Sequence, residues 1–507
     1  MVFIKFFNVG GAGMVKTYLN YINGKWVKSS SGKTFAKINP ATGAVIFHCQ
    51  AGNGKDVNAA VEAAQAAFPK WKFFPPPMRG EILFKAARIL EQRKEEISVL
   101  LTKENGKNLE EARGEVQEAI DVTKYVAGEG RRLLGETTTS ELPDKFAMFV
   151  REPKGVAGVI TPWNFPIAIP AWKIPAALVC GNTLVFKPSS DAPGCGIELV
   201  KILSEAGVPP GVLNMVTGSG SSVGDPLAKH KGIDHISFTG STEVGTHLYV
   251  EGAKKLNSVE LEMGGKNPQI VLKDADLDLA VDGALWGAFG TSGQRCTATS
   301  RIIVEKHVAK RFTEKFLKRV RRIKVGNGLG KGAVMGPIIN AGQMTKILGY
   351  IDKGRKEGAK LLVGGHRLKD AEHKKGFFIA PTVFTGVTPG MTIAREEIFG
   401  PVVCIMEARD FEDAVRIANS VEYGLSWSIY TKDINKAMKA MRLAESGIVY
   451  INAPTIGAEV HLPFGGVKGT GNGGREAGTE AIKEFTGIKT VFIDYSGRLQ
   501  RAQIDVD

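Results

Sequence analysis

Cys296 stands in GTSGQRCTATSR, a stretch of glycines and small polar residues that reads as a loop. Most free cysteines are inert core residues. The polar surroundings of this one, and Arg295 beside it, would instead favour a thiolate, the nucleophilic form. Glu262, in VELEMGGKNPQIV, lies next to Met263 and a Gly-Gly turn, and reads either as a general base with a raised pKa or as a capping acid. Asn164, in TPWNFP, offers an amide donor on a turn bounded by prolines. A thiol, a carboxylate and an amide donor are the groups that acyl-thioester chemistry needs: a nucleophile, a base, and a donor for the oxyanion. Their spacing alone does not establish that they meet.

Glycine-bearing turns follow two apolar runs. Gly218-Ser219-Gly220 through Gly224 comes after VLNMVT, and Phe238-Thr239-Gly240-Ser241 through Gly245 comes after DHIS and before a helical segment. Such turns let backbone N–H groups and a helix N-terminus approach a phosphate closely. Neither fits the GxGxxG spacing, so ordinary strand-to-helix turns remain the other reading.

These residues need a scaffold. Residues 56–134 carry amphipathic helical patterns, one of them starting after the proline run at 75–77. From Phe146 onward short apolar runs alternate with helix-like segments: FAMFV, GVAGVIT, TLVFK, VLNMVTG, HISFTG, then PQIVL, RIIVE, PVVCIM, WSIY and GIVYI. That alternation predicts an α/β protein with parallel sheets covered by helices. A length of 507 residues suits roughly three lobes.

Composition removes several classes. At 43% hydrophobic and 23% charged, the chain has the balance of a globular protein with a large core. The five cysteines are scattered, with no CxxC pair and no histidine at zinc spacing. They read as a reduced, intracellular set with no metal site. No apolar run is long enough to span a membrane. The net charge of +14 raises a nucleic-acid reading. However, the densest basic stretch, Lys310 to Lys324, spaces Phe312, Phe316, Leu317 and Val320 as a surface helix would, with its charges solvated. The expectation is no nucleic-acid partner, and a basic chain that draws in anionic ligands. Residues 1–13 read as a tail or an upstream extension of the reading frame, with a second start at Met14 before the strand-like TYLNYINGKWV.

Over roughly residues 17–500 the chain resembles the aldehyde dehydrogenase superfamily. The matching text is ITPWNFP, TLVFKPS, ISFTGSTEVG, ELEMGGKNP, GQRCTATSR, EEIFGPV and PFGGVKGTGNGGREAG, in that order. The resemblance implies an aldehyde dehydrogenase fold. It would have a Rossmann-like cofactor domain (14–135 and 157–265), an α/β catalytic domain (266–463) and a small β oligomerisation arm (136–156 and 480–500). It implies homodimers or homotetramers in the cytoplasm. It places the nucleophile on Cys296, the general base on Glu262, and the oxyanion hole on Asn164 with the Cys296 N–H. Cofactor contacts fall on Thr161, Pro162, Trp163, Lys187, Ser189, Ser190, Gly220, Gly224, Phe238, Gly240, Ser241, Gly245, Glu397 and Phe399. The aldehyde falls near Phe165, Trp172, Arg295 and Phe464. Lys173 and Lys266 also lie in motif text and are expected to be structural or orienting.

NAD-preferring members of that family often carry a Glu three residues after the ribose-binding lysine. Here Ser190 stands there, which favours NADP or dual use over strict NAD use. Text near Cys296 and from Asn452 to Asp505 resembles 2,5-dioxopentanoate dehydrogenases, with Arg295 a candidate partner for the substrate's carboxylate. The alternatives are a broad aliphatic, succinate-semialdehyde or glyceraldehyde dehydrogenase. A CoA-acylating relative would commonly lack Glu262, and a non-catalytic structural protein on this fold would have lost Cys296.

Overall fold

The computed structural model describes residues 15–505; the expectation about residues 1–13 lies outside them. Most strands fall into two seven-stranded sheets and a smaller three-stranded one. The first sheet runs Ser258–Glu262, His235–Thr239, Val156–Ile160, Thr183–Lys187, Leu213–Met215, then Asn20–Ile22 and Lys25–Val27. Its first five strands are parallel, and the last two join antiparallel. Val156–Ile160, Thr183–Lys187 and His235–Thr239 are buried along their whole length, which is why they read as continuous apolar runs rather than alternating ones. Chain order along the sheet reverses between Val156–Ile160 and His235–Thr239. In open α/β sheets, ligands bind outside the carboxyl ends of strands at such a point.

The second sheet runs Lys360–Val363, Thr382–Thr385, Val402–Ala408, Thr299–Glu305, Asn267–Val271, Ser426–Tyr430 and Ile448–Ile451, all parallel except the first pair. Thr486–Asp494 pairs antiparallel with Lys145–Pro153, which pairs with Glu136–Thr139, in a largely exposed ribbon.

The helical region of the N-terminal third resolves into Gly54–Phe73, Pro76–Gln92, Lys94–Asn105 and Leu109–Glu129. Asn53 caps the first with a capping box, and Asn108 caps the last. Ala168–Cys180 is buried at every residue, as expected of a helix that is apolar all round. The basic helix, Lys306–Val320, buries Val308, Ala309, Phe312, Phe316 and Val320 and turns its charges outward. Among the described residues, no helix is long and apolar enough to cross a membrane, and no cluster of His, Cys, Asp or Glu is placed to hold a metal ion.

Candidate active site

Cys296 sits between two cavities. One is an inner pocket of about 150 Å³, walled by Glu118, Phe165, Trp172, Glu262, Arg295, Phe464 and Glu476 among others. The other is a slot of about 150 Å³ walled by Pro162, Trp163, Asn164, Gly240, Ser241, Glu397 and Phe399. Cys296 lines both. Thus the structure brings Cys296 and Glu262 to one pocket, and Cys296 and Asn164 to one slot. Of the free cysteines, Cys49, Cys180, Cys195 and Cys404 are buried, and only Cys296 is partly accessible.

The loop that presents Cys296 is strained. Thr291, Ser292 and Gly293 are consecutive left-handed residues, with φ of 50°, 58° and 68°. Such backbone is unfavourable for residues with a Cβ and persists only where surroundings over-determine it. Here Ser292 Oγ donates to Gly336 O at 2.8 Å, and Thr291 N–H donates to Glu111 at 2.7 Å. A Cβ on Gly293 would lie 2.2 Å from Gly400 O. On the other side of the cysteine, Asn267 Nδ2 donates to Cys296 O and Ala298 O at 2.7 and 2.9 Å.

Arg295 departs from one expectation. Its guanidinium does not serve the thiolate. It donates to Glu111 at 3.1 Å and to Thr291 Oγ1 at 3.0 Å, and lies over the rings of Trp286 and Phe165. Burial, then Glu397, Glu262 and Glu476, push the Cys296 thiol up. In the free protein this cysteine is a thiol at neutral pH and needs a base.

Glu262 ends the strand Ser258–Glu262, opposite Thr239 in the sheet register, and its main-chain carbonyl accepts from Gly240 N–H at 3.0 Å. Both of its carboxyl oxygens are buried without a hydrogen-bond partner. Burial and the neighbouring Glu476 hold it well above the usual carboxylate range. A capping acid would have N–H partners, and among the described residues Glu262 has none. Room for it comes from glycine: a Cβ on Gly465 would lie 2.4 Å from its Oε1.

Groups that sequence reasoning missed complete the site. Glu476 pairs with Lys173 and accepts from Thr239 Oγ1 at 2.9 Å. Phe464 and Glu476 exchange main-chain hydrogen bonds at 2.6 and 2.7 Å, so the aromatic wall and the acid arrive together. Phe464 packs edge-on to Trp172, with centroids 5.0 Å apart. Lys107, buried with its partner Glu115, donates to Asn164 O at 2.9 Å and lies over the Phe165 ring. Glu115 accepts from Ile167 and Ala168 N–H, which fixes the start of the Ala168–Cys180 helix. These acids and lysines stand in helical or glycine-rich text with no signal beyond the motif itself for Glu476.

From the slot a cleft of about 640 Å³ leads outward past Thr161, Pro162, Trp163, Lys187, Ser189, Gly220, Gly224, Phe238, Gly240 and Ser241. These residues suit a dinucleotide. The helix Thr242–Ala253, capped by Ser241, starts in the cleft wall, and its N-terminal N–H groups suit a pyrophosphate. A Cβ on Gly220 would meet nothing within 4 Å, so this backbone is open to a close ligand. The Lys187 ammonium is buried with only Pro188 O as partner, and burial lowers its pKa to about 8, leaving donors free for a ribose or phosphate. Trp163 packs edge-on to Phe399, centroids 5.3 Å apart, and Phe399 itself is left-handed at φ 58°. Glu397 accepts from Gly265 N–H at 2.9 Å. Two expected contacts are placed differently. Ser190 Oγ donates to Gly218 O at 2.6 Å, and Ser189 is the serine lining the cleft. Gly245 packs the helix onto the sheet, since a Cβ there would lie 2.4 Å from Met263 Sδ. Asp225, held by Lys229 and His247 at 2.8 Å each, also lines the cleft, where sequence reasoning had not looked.

Comparison with known proteins agrees with this architecture. The model of the aldehyde dehydrogenase family matches residues 26–491, and the chain belongs to that family. Among its relatives, alpha-ketoglutaric semialdehyde dehydrogenase of Bacillus subtilis (strain 168) is 45% identical over 478 residues, 94% of this chain and 98% of that protein. The 2,5-dioxopentanoate dehydrogenase of Saccharolobus solfataricus is 41% identical, over 92% of this chain and 98% of its own. Human retinaldehyde dehydrogenase 3 is 43% identical, over 93% and 92%. A crystal structure of betaine aldehyde dehydrogenase from Staphylococcus aureus, in complex with NAD+, superposes with a TM-score of 0.93 at 37% identity, covering 95% of both chains. The protein has the aldehyde dehydrogenase fold and is an NAD(P)-dependent aldehyde oxidoreductase.

Proposed function

We propose that the protein oxidises 2,5-dioxopentanoate to 2-oxoglutarate through a thioester on Cys296. The observation that carries the mechanism is that Cys296 lines both the pocket containing Glu262 and the slot containing Asn164. Glu262 takes the proton of the raised Cys296 thiol, and the thiolate adds to the aldehyde carbon to form a thiohemiacetal. Asn164 Nδ2 and the Cys296 N–H donate to its oxyanion. The nicotinamide, when bound, supplies the hydride acceptor through which the adduct becomes a thioester. Glu262 releases that proton to solvent and then deprotonates a water that hydrolyses the thioester; the carboxylate leaves, and the Cys296 thiolate regains a proton from Glu262. Lys173 and Glu476 hold the charge balance around Glu262, the orienting role expected for Lys173.

NADP, or both cofactors, fits the reading best, because Lys187-Pro188-Ser189-Ser190 contributes no carboxylate beside the buried ammonium. The first sheet with the N-terminal helices is read as the cofactor domain, the second as the catalytic domain. The exposed ribbon, which carries Ile488, Phe492 and Ile493 at its surface, is read as an arm for a homodimer or homotetramer working in the cytoplasm. The substrate reading rests on Arg295 in the pocket wall and on the semialdehyde dehydrogenases among the relatives. Burying an unpaired carboxylate is costly, and Arg295, which would share its guanidinium with Glu111, is the cation in the pocket wall.

The test is kcat/KM for 2,5-dioxopentanoate against uncharged aldehydes of similar length, with NAD and with NADP. One charged contact of about 2–3 kcal/mol gives a preference of roughly 30- to 150-fold. A flat profile, or preference for glyceraldehyde or a simple aliphatic aldehyde, removes this substrate and leaves the family chemistry in place. The largely aromatic and aliphatic wall, with Phe165, Trp172, Ile456 and Phe464, makes a broad aliphatic dehydrogenase the second reading.

A further inference from the structure

The aldehyde pocket holds a carboxyl that the thioester mechanism does not use. Glu118, on the helix Leu109–Glu129, lines both the inner pocket and an outer vestibule of about 710 Å³. Glu118, Phe165 and Arg295 are the residues common to the two linings, so they form the neck between them. Trp172 Nε1 faces the same region. It is buried without a fully formed hydrogen bond, and the acceptor it approaches is the Glu118 carboxyl, whose charged form it favours. A buried N–H in a pocket wall with so weak a hold on its acceptor is available to a ligand oxygen beside Glu118.

Charges around the neck are otherwise paired. Glu111 is engaged with Arg295 and the Thr291 N–H. Glu115 is engaged with Lys107 and the N–H groups of Ile167 and Ala168. From the Ala168–Cys180 helix the polar group acting on Glu118 is Trp172, while Lys173 is turned to Glu476. Glu110 and Arg113 line the vestibule further out, and Glu262 and Glu476 lie deeper in the pocket. The charge state of Glu118 therefore decides the sign of the neck.

We propose that Glu118 sets the aldehyde selectivity of this site by the charge at the substrate's far end. As the neutral acid it joins Trp172 Nε1 and Arg295 in donating to an anionic end. As a carboxylate it repels that end, while an uncharged aldehyde is indifferent to the change. Burial, and then Glu115, push this carboxyl up to about 7, within the range where an enzyme is assayed. The inference rests on the reading of this cavity as the aldehyde pocket, and does not require 2,5-dioxopentanoate to be the best substrate.

The experiment is the ratio of kcat/KM for 2,5-dioxopentanoate to kcat/KM for pentanal, from pH 5.5 to 9, in the wild type and in Glu118→Gln. Both aldehydes use Cys296 and Glu262, so the ionisation of those groups cancels in the ratio. For the wild type the ratio is expected to fall by about tenfold or more as pH rises from 6 to 8.5, following deprotonation of Glu118. In E118Q it is expected to be flat, and at pH 8.5 to exceed the wild-type ratio about tenfold. A flat wild-type ratio, or the same slope in E118Q, overturns the proposal. If E118Q does not fold, as judged by circular dichroism, the wild-type profile decides alone. A wild type that favours pentanal at every pH, yet whose ratio falls and is flattened by E118Q, removes the substrate assignment and keeps the role of Glu118. A pH-independent preference for 2,5-dioxopentanoate does the reverse.

Discussion

Replacing Glu476 by Gln separates the structural and electrostatic roles of one carboxylate. Glu476 and Lys173 form an ion pair whose side chains are 3% and 1% exposed. The amide keeps the shape and the Oε1 acceptor that Thr239 Oγ1 and Lys173 share, so Lys173 loses a counter-charge rather than its hydrogen bonds, and the buried Glu484 still acts on it. Because Lys173 is weakened in its pairing rather than stranded, the expected loss in urea denaturation is about 1–3 kcal/mol, below the cost of an uncompensated buried charge. Glu262 responds in the opposite sense. After burial, Glu476 is the first cause of its raised pKa, and Lys173 already pulls it down. With Glu476 neutral, the repulsion goes and the pull of Lys173 is no longer balanced. A base with a lowered pKa is deprotonated at lower pH. The acid limb of thioester hydrolysis should therefore move to lower pH. The assay is single-turnover hydrolysis of Cys296 acylated by an activated ester, followed across pH. The double variant Lys173→Met with Glu476→Gln should be less stable than E476Q, since the buried Glu484 then loses the cation that chiefly holds it ionised. An acid limb that stays in place or moves up, or a double variant more stable than E476Q, would refute this reasoning.

Ser189→Glu is expected to weaken NADP more than NAD, because a carboxylate then lines the cleft beside Lys187, where it repels a 2′-phosphate; equal loss of both in binding titrations would contradict it. Arg301 is fully buried and donates to Lys266 O, Ile417 O and Ala418 O at 3.0, 3.0 and 2.7 Å, tying the second sheet to the last turn of the helix Phe411–Asn419. Arg301→Met leaves those carbonyls unpaired and should cost about 3 kcal/mol or more in chemical denaturation, against little change if water replaces the guanidinium. Because burial and carboxylates raise the Cys296 thiol, kcat/KM for an uncharged aldehyde should climb with pH from 6 to 8 as the thiolate becomes accessible. A profile that is flat or falling over that range would mean the thiol is already ionised.

Much of the scaffold was legible because parallel strands buried on both faces leave continuous apolar runs. TLVFK, HISFT and PQIV are central strands for that reason. Cys296 could be singled out because its polar loop sets it apart from cysteines in apolar text. What stayed hidden depends on which elements approach each other. Glu118 in VQEAI reads as a solvated helix position. It becomes a pocket wall only because Glu115, one turn earlier, binds the Ile167 and Ala168 N–H groups and draws the two helices together. Likewise, nothing in GQRC says that Arg295 turns to Glu111, which is 184 residues away along the chain. The choice between Ser189 and Ser190 as the cleft-facing serine depends on a turn conformation that side-chain types do not encode.

The central claim, a thioester on Cys296 cleared by water that Glu262 activates, is tested most directly by the intact mass of Glu262→Gln after mixing with aldehyde and cofactor. The account expects an adduct equal to the aldehyde less two hydrogens, mapping to Cys296 and persisting because its hydrolysis lacks a base. It expects no adduct and no turnover in Cys296→Ala, with the fold retained. Turnover near the wild-type rate in Cys296→Ala, or hydrolysis at the wild-type rate in Glu262→Gln with no adduct, would contradict it.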